Sequence, residues 1–178
     1  MFNTRFETNK KFSHTEKNVS LSASTYNISE NNVNLKLTVI ETIGFGDQIN
    51  KQNSYEIISN YINSLFETNL QQELEINRNF NPANDKLIHL CLYFILPTGH
   101  SIKSIDLLTM RLLDDKVNIV PVIAKSDTIT KNELNDFKMR IRKELAENEI
   151  KIYQFPNDDY DPNVSKINQA INVCCPLS

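Results

Sequence analysis

Two apolar runs constrain the fold of this chain more than any other feature of its sequence. Leu87–Leu96 reads LIHLCLYFIL and Val117–Ala124 reads VNIVPVIA, each almost unbroken by polar residues. Such runs are typical of strands that are covered on both faces in a parallel sheet. Parallel strands need a crossover connection, and residues 97–116 are long enough to supply a helical one. The two runs therefore predict an open α/β sheet.

The residues before these runs predict a hairpin and a helix. Apolar and polar residues nearly alternate from Val19 to Ile28 and again over Val33–Ile40, on either side of the turn-forming Glu30-Asn31-Asn32. Two alternating runs joined by a short polar turn are typical of a β-hairpin. From Tyr55 to Ile76 the apolar residues recur at the spacing of an amphipathic helix, which we expect there.

Two further helices, a short extended piece and a weak helix are expected around and after the second apolar run. The crossover helix should end near residue 114, with Ser101 or Ser104 as its N-cap. A second helix should start at Thr130 and reach about residue 148. Ile150–Phe155 reads as a short extended piece, and a weak helix from Val164 leads towards the end of the chain.

Composition excludes several classes of function. The 178 residues suit one globular domain, and a net charge of −3 gives no electrostatic footprint for nucleic acid. No stretch approaches the ~18 consecutive apolar residues of a membrane-spanning helix. The only glycines are Gly44, Gly46 and Gly99. The sequence therefore contains neither of the glycine-rich phosphate-binding motifs, G-x-x-x-x-G-K-[ST] and G-x-G-x-x-G. Any phosphate-binding role must work without that cradle.

The first motif with functional potential follows the predicted strand Val33–Ile40. Glu41 and Gly44 form E-x-x-G. An acidic residue at a strand end can hold Mg²⁺ through water, and a glycine three residues later lets a backbone N–H approach a terminal phosphate. This pattern corresponds to the D-x-x-G switch of GTP-binding proteins, with glutamate in place of aspartate. The alternative, which the four residues taken alone favour, is a plain turn.

The second motif follows the second apolar run. Lys125, Ser126 and Asp127 form K-x-D, as in the guanine-specificity motif [NT]-K-x-D. There the carboxylate accepts hydrogen bonds from N1–H and the exocyclic amine of guanine, while the lysine stem packs along the purine ring. The wrong base would leave that carboxylate unsatisfied, which makes the contact discriminating. The alternative is a surface ion pair beside a helix cap.

At this level of detail the chain resembles the GTP-binding domain of a septin from about Phe2 to Ser178. It most resembles the septins regarded as binding GTP without hydrolysing it. The blocks that carry the resemblance are GFGDQIN (Gly44–Asn50), LCLYFI (Leu90–Ile95), PTGHS (Pro97–Ser101), KVNIVPVIAKSDT (Lys116–Thr128) and IYQFP (Ile152–Pro156).

The resemblance implies a role for each site residue. Asp127 would read guanine and Lys125 would stack on it. Gly44 would approach the γ-phosphate, and Glu41 would replace the Mg²⁺-linked aspartate through a water molecule. His100 resembles the septin histidine that reaches the nucleotide of a neighbouring subunit, the alternative being a turn histidine bonded to local backbone. GTP or GDP and Mg²⁺ are thus the implied ligands.

Two departures from the septin pattern bear on catalysis. Asn18 would align with the switch threonine that positions the attacking water in hydrolysing septins, and Thr15 is displaced by three residues. We therefore expect no GTP hydrolysis and no catalytic residue. The P-loop would lie upstream of Met1. Its backbone donors normally hold the α- and β-phosphates, so we expect weak or absent GTP binding by this chain alone.

The resemblance also implies a domain organisation. Residues 1–18 would be the end of the first helix and the switch I loop, residues 19–156 the sheet and helices, and residues 157–178 an acidic loop and terminal helix. The fold would be a three-layer, P-loop GTPase-like open sheet that lacks the P-loop strand and the distal part of the domain. That strand would lie between Val33–Ile40 and Leu87–Leu96. Without that strand we expect one of three outcomes: the two flanking strands pair with each other, another segment fills the gap between them, or the isolated chain is unstable.

The leading functional hypothesis is a non-enzymatic septin-like subunit. It would act in the cytoplasm and cytoskeleton by nucleotide-linked assembly with other septins into filaments, with no nucleic-acid partner. Any membrane association would come through that assembly. The alternatives are an active GTPase, which K-x-D favours, and a nucleotide-independent fragment that competes for septin interfaces.

Overall fold

The structure is a computed structural model, and it describes residues 19–30, 33–46, 54–75, 86–97, 101–156, 163–165, 168 and 175–176. The chain divides into two compact units, residues 1–86 and 87–178, and each is described by itself. The first contains β1 (Ser20–Glu30), β2 (Val33–Ile43) and α1 (Ser54–Leu74). The second contains β3 (Leu90–Ile95), α2 (Ser104–Leu113), β4 (Asn118–Ile123), α3 (Lys131–Glu147) and β5 (Cys175–Pro176).

The predicted hairpin is confirmed, and it is longer than expected. β1 and β2 pair antiparallel from Ser20↔Ile43 to Glu30↔Val33. Pairing continues beyond Ile40 because Ser20–Ser22 offer partners to residues 41–43. Glu41 consequently lies inside β2, opposite Ser22, and the expectation that it follows the strand is wrong.

The predicted amphipathic helix is confirmed as α1, one residue earlier at its start and two residues earlier at its end. Ser54 opens it and is fully buried, and Ile62 in its middle is 4 % exposed. Its later half presents Phe66, Leu70 and Leu74 to the surface. The apolar side chains in the first half of the helix are therefore more completely buried than those in its second half.

The second unit is built on parallel strands, as the two apolar runs predict. β3 pairs with β4 from Leu90↔Asn118 to Ile95↔Ile123, and β4 pairs with β5 through two residues. α2 makes the crossover between β3 and β4. β5 was not predicted, because a two-residue strand has no recognisable pattern. Residues 163–165 and 168 are helical, in agreement with the weak helix expected there, while residues 157–162, the acidic loop, lie outside the described residues.

Two helices complete the core of this unit. α2 buries Met110 and Leu113, and α3 buries one stripe at four-residue spacing: Phe137, Ile141 and Leu145. The Tyr93 hydroxyl on β3 donates to Asp106 Oδ1 on α2 at 2.9 Å. The Ile102 N–H donates to Glu144 Oε2 on α3 at 2.9 Å. These two bonds connect α2 to the sheet and the residues before it to α3.

The start of α2 differs from the prediction. Lys103, not Ser101 or Ser104, occupies the N-cap position and makes no side-chain cap bond. Ser104 is already the first helical residue, because the Lys103 carbonyl accepts from the N–H groups of both Asp106 and Leu107. The predicted extended piece at residues 150–155 is neither helix nor strand in the structure. Its Tyr153 N–H donates to the Ile119 carbonyl at 2.8 Å, and a single bond of this kind does not make a ladder.

The two apolar strands differ in how they are covered. In β4 all residues from Ile119 to Ile123 are buried, as expected for a strand covered on both faces. In β3 the expectation is wrong for one face: Leu90, Leu92 and Phe94 are 47 %, 54 % and 54 % exposed. β4 is the central strand of the described sheet and β3 is an edge strand. The side chains that pack over both faces of β4 leave one face of β3 partly exposed.

The expected open α/β architecture appears as two separate sheets within the described residues. β1 and β2 form one, and β3, β4 and β5 form the other, in the order β3-β4-β5. None of the helices described has the length and apolar character needed to span a bilayer.

Candidate nucleotide site

The connection from β4 to α3 carries the K-x-D motif and is held at its start by the sheet. The Ala124 N–H, directly after β4, donates to the Ile95 carbonyl at the end of β3 at 2.9 Å. Lys125 follows in the left-handed region at φ 51° and ψ 43°. Only a few per cent of non-glycine residues adopt this conformation. The chain then turns through Ser126–Thr128, a short 3₁₀ turn.

Two hydrogen bonds from one residue close this turn. The Thr128 N–H donates to the Lys125 carbonyl at 3.1 Å, and the Thr128 hydroxyl donates to the same carbonyl at 2.7 Å. Ser126 points inward and is 8 % exposed, whereas Lys125 and Asp127 are exposed. The turn thus presents a lysine and a carboxylate together at the carboxyl end of a parallel strand, where α/β proteins bind ligands.

The helix after the turn starts with a complete capping box. Thr130 Oγ1 accepts from the Glu133 N–H at 3.3 Å, and Glu133 Oε2 accepts from the Thr130 N–H at 3.0 Å. Hydrogen bonds from the Thr130 backbone and, secondarily, from its hydroxyl lower the pKa of Glu133 below its ordinary value. The prediction that α3 begins at Thr130 is confirmed. The K-x-D turn is therefore fixed by the sheet on one side and by a capped helix on the other.

The E-x-x-G segment lies at the end of β2 in the first unit. Glu41 is exposed and sits within the strand. Gly44 has φ 80° and Gly46 has φ 86°, values that favour glycine. Gly44 accordingly satisfies the conformational requirement of a backbone that must turn directly after the strand. This geometry agrees with the plain-turn interpretation as well as with a phosphate contact.

The residues proposed for the site fall into two groups. Lys125 and Asp127 share one turn in the second unit, and Glu41 and Gly44 share one strand end in the first. His100 and Asn18 lie outside the described residues.

The described residues do not form a resident magnesium site. Within the described ranges no group of three or more His, Cys, Asp or Glu side chains could hold a metal. One exposed carboxylate, Glu41, does not fit a resident metal site. It fits only the mode in which Mg²⁺ keeps several waters and is held by one carboxylate and substrate phosphates.

Thr128 is the residue in this turn that the motif analysis did not single out. The signal was present in the sequence: a hydroxyl residue directly after K-x-D, just before a capping-box threonine. Threonine hydroxyls can bond the backbone carbonyl three or four residues earlier in the chain. The consensus pattern ends at Asp127, and the motif alone therefore does not include Thr128.

Comparison with known proteins agrees with the resemblance. A family model described as Septin matches residues 1–178. Septin-8 of Xenopus tropicalis is 53 % identical over 178 residues, 100 % of this chain and 41 % of that protein. Septin-10 of Homo sapiens is 53 % identical over the same length, 38 % of that protein. The chain thus spans about two fifths of the length of these relatives.

A solved structure extends the agreement to the fold. The crystal structure of Cdc11 from Saccharomyces cerevisiae matches with a TM-score of 0.64 and 32 % identity. The match covers 84 % of this chain and 65 % of that one. The expected fold class, a partial P-loop GTPase-like α/β domain, is thereby confirmed.

Proposed function

Because the chain belongs to the septin family, we propose that it acts as a guanine-nucleotide-binding cytoskeletal subunit that assembles with other septins into filaments. One observation carries the nucleotide part of this proposal. Lys125 and Asp127 are held in a closed turn at the carboxyl end of β4, as a guanine-reading motif requires. Family membership supports the assembly part.

Recognition of the base would depend on this turn. Asp127 is exposed and can accept the two donors on the Watson–Crick edge of guanine, N1–H and the exocyclic amine. Adenine offers an acceptor at N1, so it cannot replace both bonds. The exposed stem of Lys125 can lie along the purine face. A bound base would bury the Asp127 carboxylate. A base that lacks one of the two donors would then leave a carboxylate oxygen without a hydrogen bond, which costs more binding free energy in a buried site than in water.

Recognition of the phosphates would be weaker. Gly44 can bring a backbone N–H to a terminal phosphate, and Glu41 can meet a phosphate-bound Mg²⁺ through water. The sequence has three glycines and no glycine-rich cradle. We therefore propose that this chain binds GTP or GDP weakly.

We propose that this chain does not hydrolyse GTP. Asn18 would align with the threonine that positions the attacking water in hydrolysing septins, and its side chain has no hydroxyl to make that contact. Single-turnover phosphate release from GTP should equal the buffer blank. Release above that blank would make the chain an active GTPase instead.

The assembly part concerns the surface that includes His100. We propose that this side chain meets a neighbouring septin subunit across a nucleotide-linked interface. His100→Ala should weaken capture of partner septins, whereas His89→Ala, an exposed histidine beside β3, should not. Equal capture by both variants would separate His100 from the interface, and no capture by the unaltered chain would remove the assembly proposal.

Guanine selectivity provides the direct test of the nucleotide part. Ligand-observed saturation-transfer NMR with guanosine monophosphate and adenosine monophosphate measures weak base preference. We expect a preference for guanine that Asp127→Asn removes and Asp136→Asn, an exposed aspartate on α3, retains. Equal signals from both nucleotides, or an unchanged preference in Asp127→Asn, would overturn it.

The glycine count favours a second candidate function. Without a glycine-rich cradle, the chain could bind septin interfaces independently of nucleotide. Calorimetry that gives no heat with GTP or GDP, together with retained capture of partner septins, would select this candidate over the first.

A further inference from the structure

We infer that Thr128 is a positioning residue for guanine recognition, acting by holding Lys125 and Asp127 in one fixed turn; this inference rests on the proposed function. Thr128 places two donors, its N–H and its hydroxyl, on the Lys125 carbonyl at 3.1 and 2.7 Å. Asp127 lies between the two residues that these bonds connect. The two bonds from Thr128 therefore constrain the backbone on both sides of Asp127.

The conformation of Lys125 explains why the turn needs this support. At φ 51° and ψ 43° the lysine is in the left-handed region, where the Cβ atom crowds the following carbonyl. A hydrogen bond that forms only when Lys125 is in the left-handed conformation shifts the conformational equilibrium of the backbone towards that conformation. The two bonds from Thr128 are contacts of that kind, because both depend on the direction of the Lys125 carbonyl.

The position of Thr128 also separates it from the ligand. Its hydroxyl is used on the Lys125 carbonyl, and its side chain is exposed beside Asp127. It therefore acts through its neighbours and needs no contact with the base. Loss of the hydroxyl should therefore lower the preference for guanine over adenine and leave the overall fold intact.

The test compares substitutions of equal shape in the full 178-residue chain. Thr128→Val removes the hydroxyl and keeps the branched shape, and Thr128→Ser keeps the hydroxyl. Thr68→Val is the matched control, since the Thr68 hydroxyl makes an exposed bond of the same length, 2.7 Å, to the Ser64 carbonyl on α1. The readout is the ratio of saturation-transfer signals from guanosine and adenosine monophosphates, with the thermal midpoint followed by circular dichroism.

We expect Thr128→Val to lower the guanine preference about 3- to 10-fold, the equivalent of one hydrogen bond. Thr128→Ser and Thr68→Val should keep it within about twofold of the unaltered chain. A Thr128→Val variant that keeps the preference overturns the inference, as does a Thr128→Ser variant that loses it. The second outcome remains informative even if Thr128→Val fails to fold.

The same data separate this inference from the proposed function. If Asp127→Asn removes the preference and Thr128→Val retains it, only the positioning role fails. If the unaltered chain shows no preference, or Asp127→Asn retains it, the guanine site itself fails and Thr128 has nothing to position.

Discussion

The antiparallel hairpin and the parallel sheet both contain rows of large apolar side chains, yet they bury them very differently. On β2, Val33 is 66 % and Leu35 54 % exposed, while on β4 both Ile119 and Ile123 are completely buried. β4 has neighbouring strands on both sides, and the hairpin is a two-stranded sheet. An isolated hairpin is marginally stable in water, whereas strands packed with helices can be stable by themselves. The unit that carries Lys125 and Asp127 thus contains most of the buried apolar side chains among the described residues.

The largest expected effect tests this difference in burial directly. Leu113 on α2 is 2 % exposed and Leu35 on β2 is 54 % exposed. We expect Leu113→Ala to lower the free energy of unfolding by about 2–5 kcal/mol, because it removes buried contacts and leaves a cavity. Leu35→Ala should cost below about 1 kcal/mol. Urea unfolding measures both, and equal losses would show that the hairpin is as well packed as the sheet.

Alkaline pH should weaken the second unit through its buried tyrosine. Burial, and then the charge and hydrogen bond of Asp106, raise the pKa of Tyr93 well above its ordinary value, and burial raises the pKa of Cys91. Above about pH 10 an unfolded tyrosine releases its proton while folded Tyr93 keeps it, so the free energy of unfolding falls as pH rises. One such proton contributes at most about 1.4 kcal/mol per pH unit.

Tyr93→Phe should reduce the steepness of that alkaline decline. Tyr153→Phe, a tyrosine that is 38 % exposed, is the matched control and should leave the decline unchanged. Denaturant titrations between pH 8 and pH 11 measure the slope. An identical slope in Tyr93→Phe would mean that this hydroxyl is not the group responsible.

The capping box should have an intermediate effect. Thr130→Ala removes the acceptor for the Glu133 N–H and should cost about 1 kcal/mol of unfolding free energy. Thr25→Ala removes a hydroxyl pair with Thr38 across the exposed face of the hairpin and should cost below about 0.5 kcal/mol. The fold lowers the pKa of Glu133. The stabilisation that its carboxylate contributes to the cap is therefore fully present above the pKa of the unfolded chain, and it is lost as the pH falls through the pKa of the folded state. Thermal unfolding at pH 7 and pH 3 should therefore show a smaller Thr130→Ala effect in acid.

The smallest effect is expected from a surface ion pair in the same well-packed unit. Lys151 Nζ lies 2.9 Å from Asp115 Oδ1, with side chains 76 % and 77 % exposed. Lys151→Met should leave the free energy of unfolding almost unchanged, because water already solvates both charges, and any difference should shrink in high salt. A larger, salt-sensitive loss would indicate that charge, and not packing alone, distinguishes the two units.

The sequence predicted the elements that have strong local patterns and missed those decided by neighbours. The hairpin, α1, β4 and α3 follow from alternation, helical spacing, an apolar run and the Thr130 cap. The exposed face of β3 could not be inferred, because an apolar run reports what a strand tolerates and not which elements cover it.

For the candidate site, the sequence identified Lys125 and Asp127 as neighbours in one turn, which the structure contains. It did not reveal the left-handed Lys125 or the two bonds from Thr128, since neither belongs to a consensus pattern. Glu41 was placed after a strand that in fact continues past it, because the polar residues that end an alternating run can still pair across a hairpin.

An NMR titration with assigned amides tests the central claim that the β4–α3 turn of the second unit reads guanine. The full chain is titrated with guanosine monophosphate and, separately, with adenosine monophosphate. We expect guanosine monophosphate to shift the amide signals of residues 124–128 and to leave those of β1 unchanged, with much smaller shifts from adenosine monophosphate. Equal shifts from the two nucleotides, or guanine-induced shifts confined to residues outside the turn, would contradict the account.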